Sequence, residues 1–174
     1  MKRAQIKLVA VIFLLSTLAA KGQSADPGSV VRSFYQYDSS HSQVFSKNAI
    51  QSRRRWFTDV LHLQLTKELE RQAEFTRKNP DDKPHFGDGL PFRPLDEPCG
   101  IGGRSYRFTP TIGRPSMRGS AATVPVRFAY PKDCTLPTTQ YLVRLHKVKN
   151  AWYINDIEYP DGSTLLADLM REQY

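Results

Sequence analysis

The chain has 174 residues, of which 40% are hydrophobic and 24% are charged. This composition is ordinary for a globular protein and excludes a wholly disordered chain. The length allows one domain, with a tail at most, and excludes two large domains. The formal net charge of +8 comes from 25 Lys and Arg residues against 17 Asp and Glu residues.

The N-terminus has the pattern of a secretory signal peptide. Three basic residues lie in the first seven positions, residues 8–20 are an apolar stretch of 13 residues, and small residues follow up to Gly22. The apolar stretch is short for a membrane span of about 20 residues. We therefore predict a signal peptide over 1–22 and an exported bacterial protein, periplasmic or secreted, with no stable membrane span after cleavage. An uncleaved N-terminal anchor is the alternative.

Part of the positive charge lies in this segment. Cleavage after Gly22 would leave 21 basic and 17 acidic residues, a net charge of +4. Binding to nucleic acid calls for a clustered basic face, and export removes a protein from most nucleic acid. The charge balance therefore argues against a nucleic-acid partner.

Two cysteines, Cys99 and Cys134, stand 35 positions apart. In an oxidising compartment, an even pair of cysteines is most simply a disulfide. Two free thiols or a nucleophile are the alternatives, although neither cysteine has a histidine nearby in sequence and no CxxC motif is present. We predict a structural disulfide between Cys99 and Cys134.

Two helical regions follow the signal segment. Asp26-Pro27 predicts an N-cap and a first helical position, and the helix should end at 38–40. The second region covers 45–78, with a break where Thr58 caps the following helix and a stop at Asn79-Pro80. Its apolar face is predicted to contain Trp56, Val60, Leu61, Leu65 and Leu69.

A long connection over 80–103 contains five prolines and five glycines. Loops of that length inside a domain tend to be functional or disordered. Phe86, Leu90, Phe92 and Leu95 indicate that this loop packs against another part of the protein.

Strands and a short helix complete the chain. Alternation of apolar and polar residues predicts strands over 106–111, 122–130, 141–146 and 152–159, and a last helix after Gly162-Ser163. Pro125 predicts an edge or a bulge, and a second bulge near Asn155-Asp156 would bring both apolar pairs of the last strand to the core.

This order predicts an α+β fold in one domain over 26–174. N-terminal helices should pack on one face of a curved antiparallel sheet, and a short helix should follow the last strand. A curved sheet closed by helices forms a cone, and the mouth of a cone can hold a ligand.

Three segments resemble a known family. The helix at 30–35 (VVRSFY) and the strand at 152–157 (WYINDI) resemble the opening helix and closing strand of the nuclear transport factor 2-like (cystatin-like) superfamily. The segment at 86–92 (FGDGLPF) resembles a bacterial exported branch, the domain of unknown function numbered 3828. The resemblance implies a cone-shaped exported domain without an assigned activity. The superfamily includes isomerases, dehydratases, binding proteins and toxin-immunity proteins, so the fold alone does not choose a function.

Two acid–base pairs merit attention. Asp59 and His62 are three positions apart on one helix, where an aspartate can orient a histidine base, although a solvated helix face is the simpler interpretation. His146 and Asp156 are candidates for cross-strand neighbours. Asp156 is expected instead to satisfy backbone groups at the bulge.

Other features carry less chemistry. The basic run 53–55 is expected to be a solvated helix end, with an anionic partner as the alternative. The histidines lack metal-site spacing, and the glycine-rich stretch 99–103 lacks the spacing of a phosphate-binding loop. We therefore predict no metal and no cofactor.

These observations favour a non-catalytic exported domain that binds a small ligand or an envelope protein through its cone and its long loop. An isomerase-like or hydrolase-like enzyme and a toxin-immunity protein are the alternatives, and a homodimer stays open. No catalytic residue is assigned. The candidate contact residues are Tyr35, Asp59, His62, Asp88, Phe92, Trp152 and Asp156.

Overall fold

Helices precede strands in the structure, a computed structural model that describes residues 26–94, 109–130, 134 and 137–171. The helices are α1 (Pro27–Asp38), α2 (Lys47–Arg53), α3 (Asp59–Lys78) and α4 (Leu165–Met170), and a 3-10 turn (Arg54–Trp56) follows α2. The strands are β1 (Thr109–Ile112), β2 (Ser116–Arg118), β3 (Ala121–Ala129), β4 (Thr139–Val148) and β5 (Ala151–Glu158).

Side-chain caps begin the helices where the sequence places them. The Asp26 carboxylate accepts the backbone N–H of Gly28 at 2.9 Å, and Pro27 opens α1. Thr58 Oγ1 accepts the N–H of Leu61 at 3.3 Å and begins α3. The predicted break between the two helices is therefore confirmed. In a continuous helix the N–H of Leu61 would bond to a carbonyl of the previous turn, whereas here the Thr58 side chain accepts it.

The apolar face predicted for α3 is partly wrong. Leu61 and Leu65 are buried, but Val60 is 54% exposed. The buried face continues instead through Glu68 and Gln72, because positions 61, 65, 68 and 72 follow the helical repeat and their polar groups bond to each other.

The sheet is antiparallel throughout, with strand order β1-β3-β4-β5 and β2 also paired with β3. An α+β fold with helices, then a curved antiparallel sheet and then a short C-terminal helix is thus confirmed. Strand β2 was not expected, because all three of its residues are exposed and it shows no alternation. Gly119, whose φ is +58°, starts the tight turn that returns β2 to β3.

Pro125 lies in a central strand, which corrects the expectation of an edge. Strand β3 has β4 on one side and β1 and β2 on the other. The carbonyl of Pro125 accepts the N–H of Gly113 at 2.7 Å, in the gap between β1 and β2. The N–H and C=O groups of a strand residue point to the same side of the strand. Pro125 therefore lacks its N–H on the side that faces the gap between β1 and β2, so no strand hydrogen bond is lost.

The predicted bulge in β5 is confirmed. Arg144 pairs with Asp156 and Leu145 pairs with Ile154, which leaves Asn155 as the extra residue. Ile154 and Ile157 are both fully buried despite their opposite parity. The extra residue shifts the alternation by one position and so turns both side chains to the core.

One hydrophobic cluster joins the helices to the inner face of the sheet. It includes Phe34 and Tyr35 of α1, Val124 and Phe128 of β3, and Leu165 of α4. The predicted signal peptide, Cys99, residues 106–108 of the first predicted strand and the long loop beyond Pro94 lie outside the described residues. Within the described ranges, no helix is long and apolar enough to cross a membrane.

Candidate functional site

Aromatic side chains fill the space between the helices and the sheet. Phe92 is fully buried, and its ring centroid lies 5.5 Å from that of Phe34 and 5.3 Å from that of Phe57. Tyr35 is 1% exposed, and its ring lies 5.5 Å from that of Phe128. Tyr35 and Phe92, two of the predicted contact residues, are therefore core residues that a ligand at the surface does not reach.

The segment Leu90–Arg93, which we call the plug, is held in this space by its backbone. The Tyr35 hydroxyl donates to the Phe92 carbonyl at 2.9 Å, and the Tyr159 hydroxyl donates to the Pro91 carbonyl at 3.1 Å. The N–H of Leu90 donates to the carbonyl of Gln43 at 2.7 Å. Three bonds from three parts of the chain therefore fix the plug, and they satisfy one backbone donor and two backbone acceptors of this buried irregular segment.

A buried ion pair lies beside the plug. Arg53 Nε donates to Asp38 Oδ1 at 2.7 Å, and the two side chains are 1% and 0% exposed. The plug residue Arg93 places Nε 3.7 Å from Asp38 Oδ2 and donates to Gln43 Oε1 at 3.0 Å. Burial raises the pKa of the Asp38 carboxyl, while the charges and hydrogen bonds of Arg53 oppose that rise. The cluster therefore ties the plug to α1 and α2.

The basic run 53–55 is not a simple solvated end, which corrects that expectation. Arg53 is the buried partner of Asp38, because its charge is neutralised there and its remaining donors reach backbone carbonyls. Arg54 pairs with Asp59, and the Arg55 guanidinium lies 3.9 Å from the centroid of the Trp56 ring. No phosphate-like anion is needed to explain these charges.

Asp59 and His62 do not form an acid–base pair. The Asp59 side chain is 92% exposed and pairs with Arg54. His62 is half-buried, and burial followed by the charge of Arg54 lowers the pKa of its imidazole. His62 lines a hollow beside α3 that Asp59 does not line, so the two side chains do not act together on one site.

Asp156 is a structural cap, as the sequence favoured. Its Oδ1 accepts the N–H of Ile157 at 2.8 Å and the N–H of Leu166 at 2.9 Å, in the first turn of α4. His146 is exposed and pairs across the sheet with Tyr153. Asp156 therefore joins the bulge to α4 instead of working with His146.

The last two predicted contacts are Trp152 and Asp88. Trp152 is 7% exposed near the start of β5, and Lys147 Nζ lies 5.8 Å from the centroid of its ring. Asp88 is exposed and pairs with Lys83. Four of the seven predicted residues are thus buried and the other three are exposed or half-buried, so the seven do not form one exposed site.

Asp88 lies at the rim of a small hollow of about 250 Å³ outside the plug. Its lining includes His85, Asp88, Arg93, Tyr141, Tyr159 and Asp168. Burial raises the pKa of the Tyr141 hydroxyl to about 12 and raises that of Tyr159 above its ordinary value. Both phenols therefore stay protonated at neutral pH and act as hydrogen-bond donors.

A larger feature runs along one side of α3. Two adjoining hollows of about 620 and 360 Å³ share Leu69 and Ala73. We call this feature the α3 groove; its lining includes Val44, Phe45, Ile50, Thr66, Thr76 and Phe86. Lys47 and His62 flank one hollow, and Arg77 flanks the other. The groove is apolar along its floor and open to solvent.

Sequence reasoning missed the groove, although a signal was present. Positions 62, 66, 69, 73 and 76 follow the helical repeat on the side of α3 next to the buried stripe. Most of them are small or polar, so they were not taken for an interface. A helix that has one stripe of core residues and an adjacent stripe of mostly small or polar residues leaves space between itself and the neighbouring segments.

The sequence predicts no metal site and one disulfide. The described residues contain no group of three or more His, Cys, Asp or Glu side chains placed to hold a metal ion. Cys134 is half-buried. Its predicted partner, Cys99, lies outside the described residues, so the disulfide stays a prediction.

Comparison with known proteins identifies no relative. No family model, no curated protein and no solved structure matches this chain.

Proposed function

We propose that this protein is an exported, non-catalytic domain of the nuclear transport factor 2-like type that binds another protein through the α3 groove. The observation that carries this proposal is the filled interior. The plug residue Phe92 occupies the place between helices and sheet where a cone would hold a small molecule. Binding is therefore left to the outer surface.

The α3 groove has the properties of a surface for an apolar segment. Leu69 and Ala73 line both of its hollows, and Val44 at its edge is 66% exposed. Contiguous exposed apolar surface with a polar rim is typical of protein contacts. An amphipathic helix that places its apolar side chains in a groove is a common way to use such a surface.

Export is supported by the signal-like start and by the two cysteines. A cleaved chain would begin near residue 23 and would carry one disulfide. Intact mass of the protein from the cell envelope, measured with and without reductant, tests both points. The full-length mass, or a mass equal to that of two free thiols, would contradict the proposal.

Photo-crosslinking tests the groove. A photoreactive residue placed at Ala73 or Gln51, both of which line the groove, should give a discrete adduct in cells. The same residue at Lys67, on another side of α3, is the matched control. Ala73→Arg, which fills the floor, should abolish the adduct formed from Gln51. Equal adducts from Lys67, or an adduct insensitive to Ala73→Arg, would exclude the groove.

A small polar ligand in the rim hollow is a second candidate. The Tyr141 phenol and the Arg93 side chain line this hollow, while the Tyr159 hydroxyl already donates to the Pro91 carbonyl. A thermal-shift screen of small carboxylates and sugars tests it, with Tyr141→Phe as the variant that should lose any response. A toxin-immunity role is a special case of protein binding and would place a toxin in the α3 groove.

A further inference from the structure

One edge of the sheet is strongly basic. Residues 109–130, which contain β1, β2 and β3, include Arg114, Arg118 and Arg127 and no Asp or Glu. All three arginines are exposed. Within the described ranges none of them makes an ion pair, whereas Arg144 on β4 pairs with Glu158.

Two of the three arginines lie along the outer edge, and the third lies one strand inward. Strand β1 pairs with residues 126–129 of β3, and β2 pairs with residues 121–123, so the two short strands are consecutive pieces of the same edge. Arg118 lies on β2, and Arg114 lies between β2 and β1. Arg127 is opposite the small Thr111 of β1. The six steps from residue 121 to residue 127 of β3 span about 20 Å.

Among the described residues, this edge also has backbone groups that no strand pairs. Among the described strands, β1 and β2 each pair only with β3, so the outer side of both is unpaired. Met117, in the middle of β2, is 64% exposed. An unpaired strand edge can accept a further strand from another chain.

We infer that the β1–β2 edge binds an extended acidic segment of a partner protein by strand addition. The backbone of the segment would pair with the edge, and its carboxylates would meet the three arginines. A lipid headgroup surface would meet the charges but would leave the backbone groups unpaired. A second copy of this chain is disfavoured, because two-fold pairing of the edge would bring arginines together.

This surface is separate from the α3 groove, and the inference does not depend on it. Charged side chains on an exposed edge also discourage pairing between copies. That protective role requires no affinity for acidic peptides, so a binding measurement separates the two roles.

The probe is a fluorescein-labelled decapeptide of alternating Glu and Val, titrated against the full-length chain by anisotropy. A Lys–Val peptide should not bind. A Glu–Val peptide N-methylated at alternate residues keeps the charge but loses backbone pairing, so it should bind more weakly. Amide hydrogen exchange at Ser116–Arg118 should slow when the Glu–Val peptide is bound.

The matched protein variants are R114Q/R118Q and K67Q/K78Q, which remove equal charge from the edge and from an exposed side of α3 outside the groove. Loss of two exposed ion pairs should weaken binding about fivefold to tenfold in R114Q/R118Q. K67Q/K78Q should bind as the unmodified chain does, and circular dichroism should show both variants folded.

Four results would overturn the inference. They are equal weakening in both variants, equal binding of the N-methylated peptide, binding to phosphatidylglycerol vesicles without binding to the peptide, and self-association that R114Q/R118Q abolishes. Equal weakening would indicate diffuse charge attraction, and equal binding of the N-methylated peptide would indicate that no strand is added. Binding to vesicles alone would indicate a lipid surface, and the self-association would indicate an edge that pairs with a second copy of the chain. No binding of the Glu–Val peptide at all would also overturn it.

Discussion

Arg53 and Asp38 form an ion pair inside the protein, with Nε and Oδ1 2.7 Å apart and both side chains shut off from solvent. The pair joins α2 to the end of α1, and Arg93 of the plug adds a second positive charge at 3.7 Å. The position of the plug therefore depends on a charge in the helical layer. This relationship gives the first prediction.

Asp38→Ala should destabilise the fold by about 3–5 kcal/mol, because it leaves the Arg53 guanidinium buried without its counter-ion. Chemical denaturation followed by circular dichroism measures the change. The double variant Asp38→Leu/Arg53→Met removes both charges and should be clearly more stable than Asp38→Ala. A double variant as unstable as the single one would show that the charges themselves are not the cause.

Tyr35→Phe should cost about 1 kcal/mol, the usual net contribution of one hydrogen bond, because the Phe92 carbonyl loses its donor. Hydrogen exchange of the plug amides should accelerate more than that of β4. Tyr153→Phe, on the outer face of the sheet, is the control and should change neither quantity. An unchanged plug in Tyr35→Phe would mean that this bond does not hold it.

The imidazole of His62 should titrate below its ordinary pKa of 6.5, because burial and the charge of Arg54 both disfavour its protonated form. The unfolded chain then takes up the proton first as the pH falls. The free energy of unfolding should therefore decrease as the pH falls below about 6.5. This contribution should level off below the pKa of His62 in the folded protein.

Histidine proton shifts in NMR spectra measure this pKa directly. His62→Gln should remove the corresponding part of the pH dependence of unfolding. A His62 pKa at or above 6.5 would contradict the half-buried position of the ring beside Arg54.

Local sequence signals located most of the fold. Asp26-Pro27 and Thr58 mark helix starts through their own side chains, and the parity change between Ile154 and Ile157 marks the bulge. These features depend on neighbouring residues only, so a single sequence contains them. The alternation of apolar and polar residues in β3 and β4 also depends on neighbouring residues, so it predicted these strands from the sequence.

Long-range relationships were not accessible in this way. The position of Phe92 depends on a bond from Tyr35, 57 positions away. Arg53 resembled a solvated charge because Asp38, its partner, lies 15 positions earlier in another helix. The α3 groove arises from the placement of three segments around one helix, which periodicity does not report.

The filled interior is tested most directly by removing the side chain that fills it. Phe92→Ala should cost about 3–5 kcal/mol and should open an apolar cavity between Phe34 and Phe57. Thermal shift with benzene and indole then compares the two proteins. We expect no stabilisation of the unmodified chain and a clear stabilisation of Phe92→Ala. Stabilisation of the unmodified chain that is lost in Phe92→Ala would instead show that the interior is a ligand site.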